Sequence, residues 1–425
     1  MKDKLCLISL GCDKNLVDSE LLLGRIYEDS DYDYEFTDDE STADVIIINT
    51  CCFILDAKQE SIDTILRVSQ YKHDGNLKKL IVIGCLAERY REEIIREIPE
   101  VDRIVTVSEF ENNVSLNPPK HRMLSTGGWY AYLKIAEGCN KRCTYCIIPY
   151  LRGKYKSYPM DMLVSQAEDL AQSGVKELIL VAQETTVYGT DIYGHKMLPE
   201  LLRRLCRIEG LHWIRIMYTY PEEITDELID VISSEPKICH YIDMPIQHAS
   251  DKILTKMGRL TNRQDIENVI FKLRDRIPDI VIRTSLITGF PGETEEDHYI
   301  LKDFIDNFEL DRVGVFTYSP EEGTPAERFD NQIPEDIKNS RRDELMTLQQ
   351  EISAAYLESL VGAEMEVLIE GWLPEDNVAV GRTYMDAPSV DGLIFVKTRK
   401  RYDSGTYIKV KVTGSSEYDL TGEEI

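Results

Sequence analysis

Residues 137–157 read EGCNKRCTYCIIPYLRGKYKS and set Cys139, Cys143 and Cys146 in a C-x3-C-x2-C pattern, with aromatic Tyr145 before the last cysteine. Three thiolates this close on one loop can hold three irons of a cubane 4Fe-4S cluster, leaving the fourth iron open to a small chelating molecule. Structural zinc is the alternative, but it normally takes four protein ligands, and no fourth Cys or His lies nearby. Three merely buried cysteines would leave the charged, glycine-containing loop around them unexplained.

Upstream, one theme repeats three times. A short apolar run ends at a cysteine and gives way to a helical pattern: KLCLISLGC at Cys12, ADVIIINTC at Cys51, KLIVIGC at Cys85. Continuous Val/Ile/Leu runs alternating with helices predict an open α/β sheet over residues 1–110. Ligands of such sheets sit beyond the carboxyl ends of the strands, so Cys12, Cys51 and Cys85 can converge on a second cluster. Strand alternation leaves Cys51 and Cys52 both open as the middle ligand. Cys6, Cys206 and Cys239 lie in apolar patterns and read as packing residues. The acidic run 28–40 reads as a solvated loop and edge strand. Residues 111–128, with Pro118-Pro119 and Gly127-Gly128, read as a linker.

Downstream, residues 129–360 carry about six strand–helix units, with strands at YAYLKI, ELILVAQ, WIRIMYT, YIDMP, IVIRTSLI and VGVFTY. Right-handed crossovers then predict a partial (β/α)6 barrel, with its chemistry at the strands' carboxyl ends. Those ends offer Gln183 or Glu184 to hold an ammonium group, Gln247 or His248 to contact a ribose, and Gly289 and Gly292 to allow the close backbone approach that adenine binding would require. Arg152, Lys154 and Lys156 follow the cysteine loop and can steer an acidic group. A last helix, Pro334 to Leu360, is expected to pack through Ile337, Leu345, Leu348, Ile352, Tyr356 and Leu360. Residues 361–425 carry MEVLIEG, LIFVKT and YIKVKVT between Gly/Asp/Ser turns, the pattern of a small β-barrel or sandwich.

The formal net charge is −27, which opposes indiscriminate binding to phosphate backbones and favours basic partners. From Val361 to Ile425, seven basic residues stand against twelve acidic ones, a balance that suits a basic protein better than RNA. Ten cysteines in 425 residues are no small disulfide scaffold. Neither a signal peptide nor an apolar run of about 20 residues is evident. The expectation is a cytoplasmic protein without membrane attachment.

The cysteine loop resembles the radical S-adenosylmethionine (SAM) signature, and the whole chain resembles the methylthiotransferases. SLGCDKN, NTCCF, IGCLAER, EGCNKRCTYCIIP, TGFPGETEED and YSPEEGTPA carry that resemblance in order. It implies an N-terminal domain with an auxiliary 4Fe-4S cluster on Cys12, Cys51 and Cys85, a radical SAM barrel with a second cluster, and a terminal TRAM barrel. The Asn-Thr-Cys motif selects Cys51 over Cys52. SAM would serve as methyl donor and as source of the deoxyadenosyl radical. LRGKYKS, AQETT, IQHASD and YSPEEGTPA resemble the branch that methylthiolates the β-carbon of an aspartate in small-subunit ribosomal protein S-twelve. The alternatives are the branch acting on tRNA adenosine and, outside catalysis, an iron–sulfur carrier. The resemblance also implies a sulfur donor and a reductant such as flavodoxin or ferredoxin.

Overall fold

The computed structural model describes residues 2–29 and 34–425. In the N-terminal sheet β1 is Asp3–Ser9, β2 Tyr34–Phe36, β3 Val45–Thr50, β4 Lys79–Gly84 and β5 Arg103–Val105. Their order is β2-β1-β3-β4-β5, and every pair is parallel. The VIIINT run is β3, buried along its whole length, which is why it lacks polar alternation. The acidic run supplies the edge strand β2, while its residues 30–33 lie outside the described residues.

Register brings the three upstream cysteines together. Ser9 lies beside Asn49, and Asn49 beside Ile83. Cys12 follows that row by three residues, Cys51 and Cys85 by two. Cys12 is also the N-cap of helix α1, Asp13–Glu28.

In the central region β6 is Tyr130–Lys134, β7 Ala136–Glu137, β8 Lys156–Ser157 and β9 Glu177–Val181. β10 is Trp213–Ile216, β11 Ile238–Asp243, β12 Val281–Thr288 and β13 Arg312–Thr317. Six of these form one parallel sheet in the order β13-β12-β11-β10-β9-β6, open between its two edges. Two of the long helices between them start at caps legible in the sequence. Asn262 and Thr294 each form a reciprocal capping box, with Asp265 and Asp297.

The terminal strands are β14 Glu364–Leu373, β15 Val378–Arg382, β16 Ile394–Lys397, β17 Tyr407–Ser415 and β18 Leu420–Glu424. They close a barrel in the order β14-β15-β16-β18-β17. β15 and β18 were not expected, because VAVGR and LTGEE mix strand formers with Gly and acidic residues that strands disfavour. The barrel is fastened to the amino end of β9. Glu177 accepts from Arg215 Nε at 2.8 Å and from Arg382 Nη2 at 2.6 Å, all three side chains being buried. The cysteine loops lie at the opposite, carboxyl ends.

Two expectations need correcting. The helix Glu335–Ser359 buries Leu345 as expected and packs Leu348, Ile352, Tyr356 and Leu360 half-buried against the core, but Ile337 is exposed, and the face turned inward also carries Lys338, Arg341, Gln349, Ser353 and Leu357. It turns this face inward because partners elsewhere satisfy it. Lys338 donates to the Tyr318 carbonyl at 2.8 Å, Arg341 to Glu293 at 2.8 Å and Gln349 to the Leu310 carbonyl at 2.8 Å. The stretch 111–128 is no loose connection either: the buried Glu20 carboxylate of α1 accepts from Arg122 Nε and the Ser125 amide, both at 2.8 Å. Among the described residues no helix is long and apolar enough to cross a membrane.

Candidate functional site

The downstream cysteines sit on a loop clamped at its base and its tip. β7 pairs with β8, Ala136 with Ser157 and Glu137 with Lys156. Cys139 N donates to the Gly153 carbonyl at 3.1 Å, Thr144 N to the Met257 carbonyl at 2.9 Å, and Cys146 N to the Cys143 carbonyl at 3.1 Å. Lys141 N points at Cys139 Sγ, 3.4 Å away. Burial pushes the Cys146 thiol up to about 12, with Cys143 and Cys139 adding to it. Cys139 rises to about 11, by burial first and then by Glu184 and Cys143. Bound metal charge would reverse that balance and favour the thiolates.

The upstream trio is held by a separate net. Asn15 Nδ2 donates to the carbonyls of Leu10 at 2.9 Å and Thr50 at 3.1 Å, and Asn49 Nδ2 to the Asn15 carbonyl at 2.8 Å. Gly84 has φ 93°, and a Cβ there would stand 2.4 Å from Asn49 Oδ1, so only glycine lets the chain turn into Cys85. At Gly11 a Cβ would meet Cys51 Cβ at 2.6 Å, so Cys51 lies directly against the Cys12 turn. Burial pushes Cys51 up to about 12, with Cys12 the next cause and Cys85 a further one. Cys52 is fully buried and belongs to the apolar cluster that also holds Ile48, Val82 and Leu86; burial pushes its thiol up to about 12, with Cys85 the next cause.

Between the trios lies a buried ionic net that joins the two regions. Arg152 Nε donates to Cys85 Sγ at 3.2 Å, and its Nη1 to Asp18 and to Glu137, each at 3.1 Å; Asn15 takes Nη2. Lys134 Nζ donates to Glu137 at 2.8 Å and to Asp18. Glu137 stands two residues before Cys139, so one guanidinium connects the Cys85 sulfur with the start of the other cysteine loop. The YSPEEGTPA loop also crosses over: the Glu322 carbonyl accepts from Arg89 at 2.5 Å and its carboxylate from Tyr90 at 2.9 Å.

The other sequence candidates divide. Glu184 is buried beside Cys139, 3.7 Å from Lys141 Nζ, and burial raises its carboxyl to about 7. Gln183 Nε2 donates to Glu137 at 2.7 Å, while its buried Oε1 has no partner. Gln247 has φ 71° and pairs through its backbone with Ser285 and Ile287. His248 is wholly buried; its Nδ1 accepts from the Ala249 and Ser250 amides and its Nε2 lies 3.6 Å from Glu293. That imidazole braces the TGFPGE turn. A Cβ at Gly289 would meet Lys338 Cγ at 2.3 Å, and one at Gly292 Lys256 Nζ at 2.3 Å, so these glycines make room for lysines. Arg152 is inside rather than steering from the surface, whereas Lys154 and Lys156 are exposed.

Sequence reading missed Arg259. It is buried, its guanidinium lies 4.3 Å from the Tyr220 ring centroid, and its Nε and Nη1 have no partner. Glu222 Oε2 is likewise unpartnered. No motif marks either residue; only the fold brings Arg259 beside Tyr145 and Cys143, with Glu222 nearby.

Family models match the chain in three consecutive stretches: Uncharacterized protein family UPF0004 over residues 4–106, the Radical SAM superfamily over 133–305, and a TRAM domain over 361–425. The solved structure of the radical SAM methyltransferase TsrM from Kitasatospora setae, with tryptophan substrate and a SAM analog, superposes with a TM-score of 0.54 at 14% identity, covering 83% of this chain and 89% of that one. The cobalamin-dependent SAM radical enzyme OxsB, with aqua-cobalamin bound, gives 0.55 at 12% identity, over 83% of this chain and 56% of that one. These likenesses share the fold, and with the cysteine loop they define a radical SAM protein. A protein from Lachnoclostridium phytofermentans named ribosomal protein uS12 methylthiotransferase RimO is 56% identical over 99% of both chains. One of the same name from Clostridioides difficile is 49% identical over 99% of this chain and 98% of its own. The chain belongs to this RimO family of radical SAM methylthiotransferases.

Membership implies SAM and two 4Fe-4S clusters as cofactors. Among the described residues no three His, Cys, Asp or Glu side chains converge on a single metal ion. A cubane asks for something wider, since each thiolate binds a different iron; three cysteines at one row of strand ends and three on one clamped loop fit that demand. The orphaned donors of Arg259 fit a carboxylate and the acids Glu184 and Glu222 fit an ammonium, the two charged ends of an amino acid moiety.

Proposed function

We propose that this chain replaces a hydrogen on the β-carbon of an aspartate in ribosomal protein uS12 with a methylthio group. The observation that carries the reading is end-to-end similarity to proteins of that name, at 56% identity over 99% of both chains. Such a hydrogen is out of reach of general acid–base chemistry; when bound, SAM and the two clusters supply the radical and the methylthio group. Cys139, Cys143 and Cys146 would hold one cluster, and Cys12, Cys51 and Cys85 the other.

The chain's own task is positioning. Arg259, Glu222 and Glu184 would orient the amino acid end of SAM beside Cys139 and Cys143. Gln183 would act through Glu137, which it holds. Arg152 and Lys134 fix the separation of the two cysteine trios. A sulfur donor and a one-electron reductant of flavodoxin or ferredoxin type complete the reaction. The terminal barrel, acidic and fastened at the far end of the strands, supports attraction of a basic protein over RNA but not placement of the reacting side chain.

The test is mass spectrometry of ribosomal proteins and tRNA from cells with and without this protein. Loss of a methylthio group from uS12 alone is expected. Unchanged uS12 with a methylthio group lost from tRNA would overturn the reading.

A further inference from the structure

Lys14, the second residue of α1, is only 8% exposed. Its Nζ lies 3.4 Å from the centroid of the Tyr218 ring. Among the described residues it has neither an ion pair nor a hydrogen bond. The acids of its own helix turn and of the Tyr218 turn are already engaged: Asp13 accepts from the Tyr218 hydroxyl at 3.1 Å, Asp18 is taken by Lys134 and Arg152, and Asp243 accepts from the Tyr218 amide at 2.9 Å and from Arg283 at 2.8 Å. A buried ammonium without a counter-charge is costly. The first turn of a helix makes it worse, because the positive end of the dipole repels a cation. Among the described residues only the Tyr218 ring compensates this ammonium.

Its surroundings indicate what does. Cys12 is the N-cap two residues before it. Tyr218 lies just past the carboxyl end of β10, with φ 58°, a strained setting for a bulky side chain of the kind that collects at functional sites. The Tyr218 carbonyl accepts from Thr185 N at 3.0 Å, in the stretch that carries Glu184. The unpaired ammonium therefore stands between the Cys12 turn and the strand ends that face the other cysteine loop.

We propose that Lys14 is the receptor for the side-chain carboxylate of the substrate aspartate, holding it on the Cys12 side of the site while Tyr218 supports the ammonium from beneath. The inference rests on the proposed function and gives it a basis for selection: an adenosine base carries no carboxylate to pair with Lys14, and neither does an asparagine. The cation–ring contact keeps the ammonium in place before substrate arrives.

The test uses the full-length protein with both clusters reconstituted, checked by iron content and electron paramagnetic resonance. The substrate is uS12 carrying Asp, or Asn, at the position that mass spectrometry identifies as modified. Wild type is expected to bind the Asp form about thirtyfold or more tightly than the Asn form, the lower end for severing a buried charge pair. Lys14→Gln should abolish that ratio by weakening the Asp form alone, and Lys14→Arg should keep part of it. A Lys14→Gln protein with both clusters and an unchanged ratio would overturn the assignment while leaving the function intact. If Lys14→Gln does not hold its clusters, the wild-type ratio decides, and a ratio near one overturns the assignment. Wild type that modifies neither form of uS12 would overturn the assignment and the proposed function together.

Discussion

Arg152 Nε donates to Cys85 Sγ at 3.2 Å, across the boundary between the N-terminal sheet and the central barrel. The same guanidinium reaches Asp18 and Glu137. A hydrogen bond to a cluster sulfur stabilises the more negative, reduced state. Arg152→Lys is therefore expected to lower the reduction potential of the cluster on Cys12, Cys51 and Cys85 while leaving the other nearly unchanged. Redox titration followed by electron paramagnetic resonance checks this; equal shifts at both clusters would remove the special role of the Cys85 contact.

Iron content tests the two trios independently. Triple substitution of Cys139, Cys143 and Cys146 by Ala should leave about one cluster's worth of iron, and so should triple substitution of Cys12, Cys51 and Cys85. Iron for two clusters in either variant would reassign that trio.

Cys51 and Cys52 should behave differently. Cys51 lies against the Cys12 turn, and Cys52 packs into the apolar core. Cys51→Ser should lose the auxiliary cluster. Cys52→Ala should keep it and lower the melting temperature modestly, by about 1 kcal/mol of lost packing. Retained iron in the first and lost iron in the second would exchange the two roles.

The attachment of the terminal barrel should be acid-sensitive. Glu177 is fully buried and burial alone would raise its carboxyl, but Arg382 and Arg215 outweigh that and hold it below the usual range. A depressed folded value contributes stability that is complete above the unfolded value of about 4.3 and is lost as pH falls further. Limited proteolysis between the helix Glu335–Ser359 and β14 should therefore accelerate below about pH 4.3. Glu177→Gln, which leaves two buried guanidiniums short of charge, should destabilise by about 3 to 5 kcal/mol at neutral pH. A thermal melt unchanged by that substitution would refute the role given to Glu177.

Residues with a strong local signature were legible in the sequence. The cysteine spacings are local, and continuous apolar runs such as VIIINT and ELILV mark buried parallel strands without reference to anything distant. The Asn262 and Thr294 helix starts are local too. Buried charges were not legible, because their partners are remote in sequence. Arg152 reads as a loop cation until Asp18 and Cys85 are folded onto it, and Lys338 and Arg341 read as solvated until Tyr318 and Glu293 satisfy them. His248 and Gly289 read as ligand contacts from their place at the strand ends alone, and the fold gives each a partner as well. What lies across from a residue at a strand end is invisible in the sequence; here it is Glu293 for His248 and Lys338 for Gly289.

The central claim is that both cysteine trios serve one reaction on one protein substrate. The most direct measurement is mass spectrometry of uS12 after anaerobic incubation with SAM, a sulfur source, a one-electron reductant and the reconstituted protein. Wild type should add one methylthio group in place of a hydrogen on an aspartate. The Cys12, Cys51 and Cys85 triple variant should still cleave SAM and leave uS12 unmodified. Modification of uS12 at the wild-type rate by that variant would contradict the account.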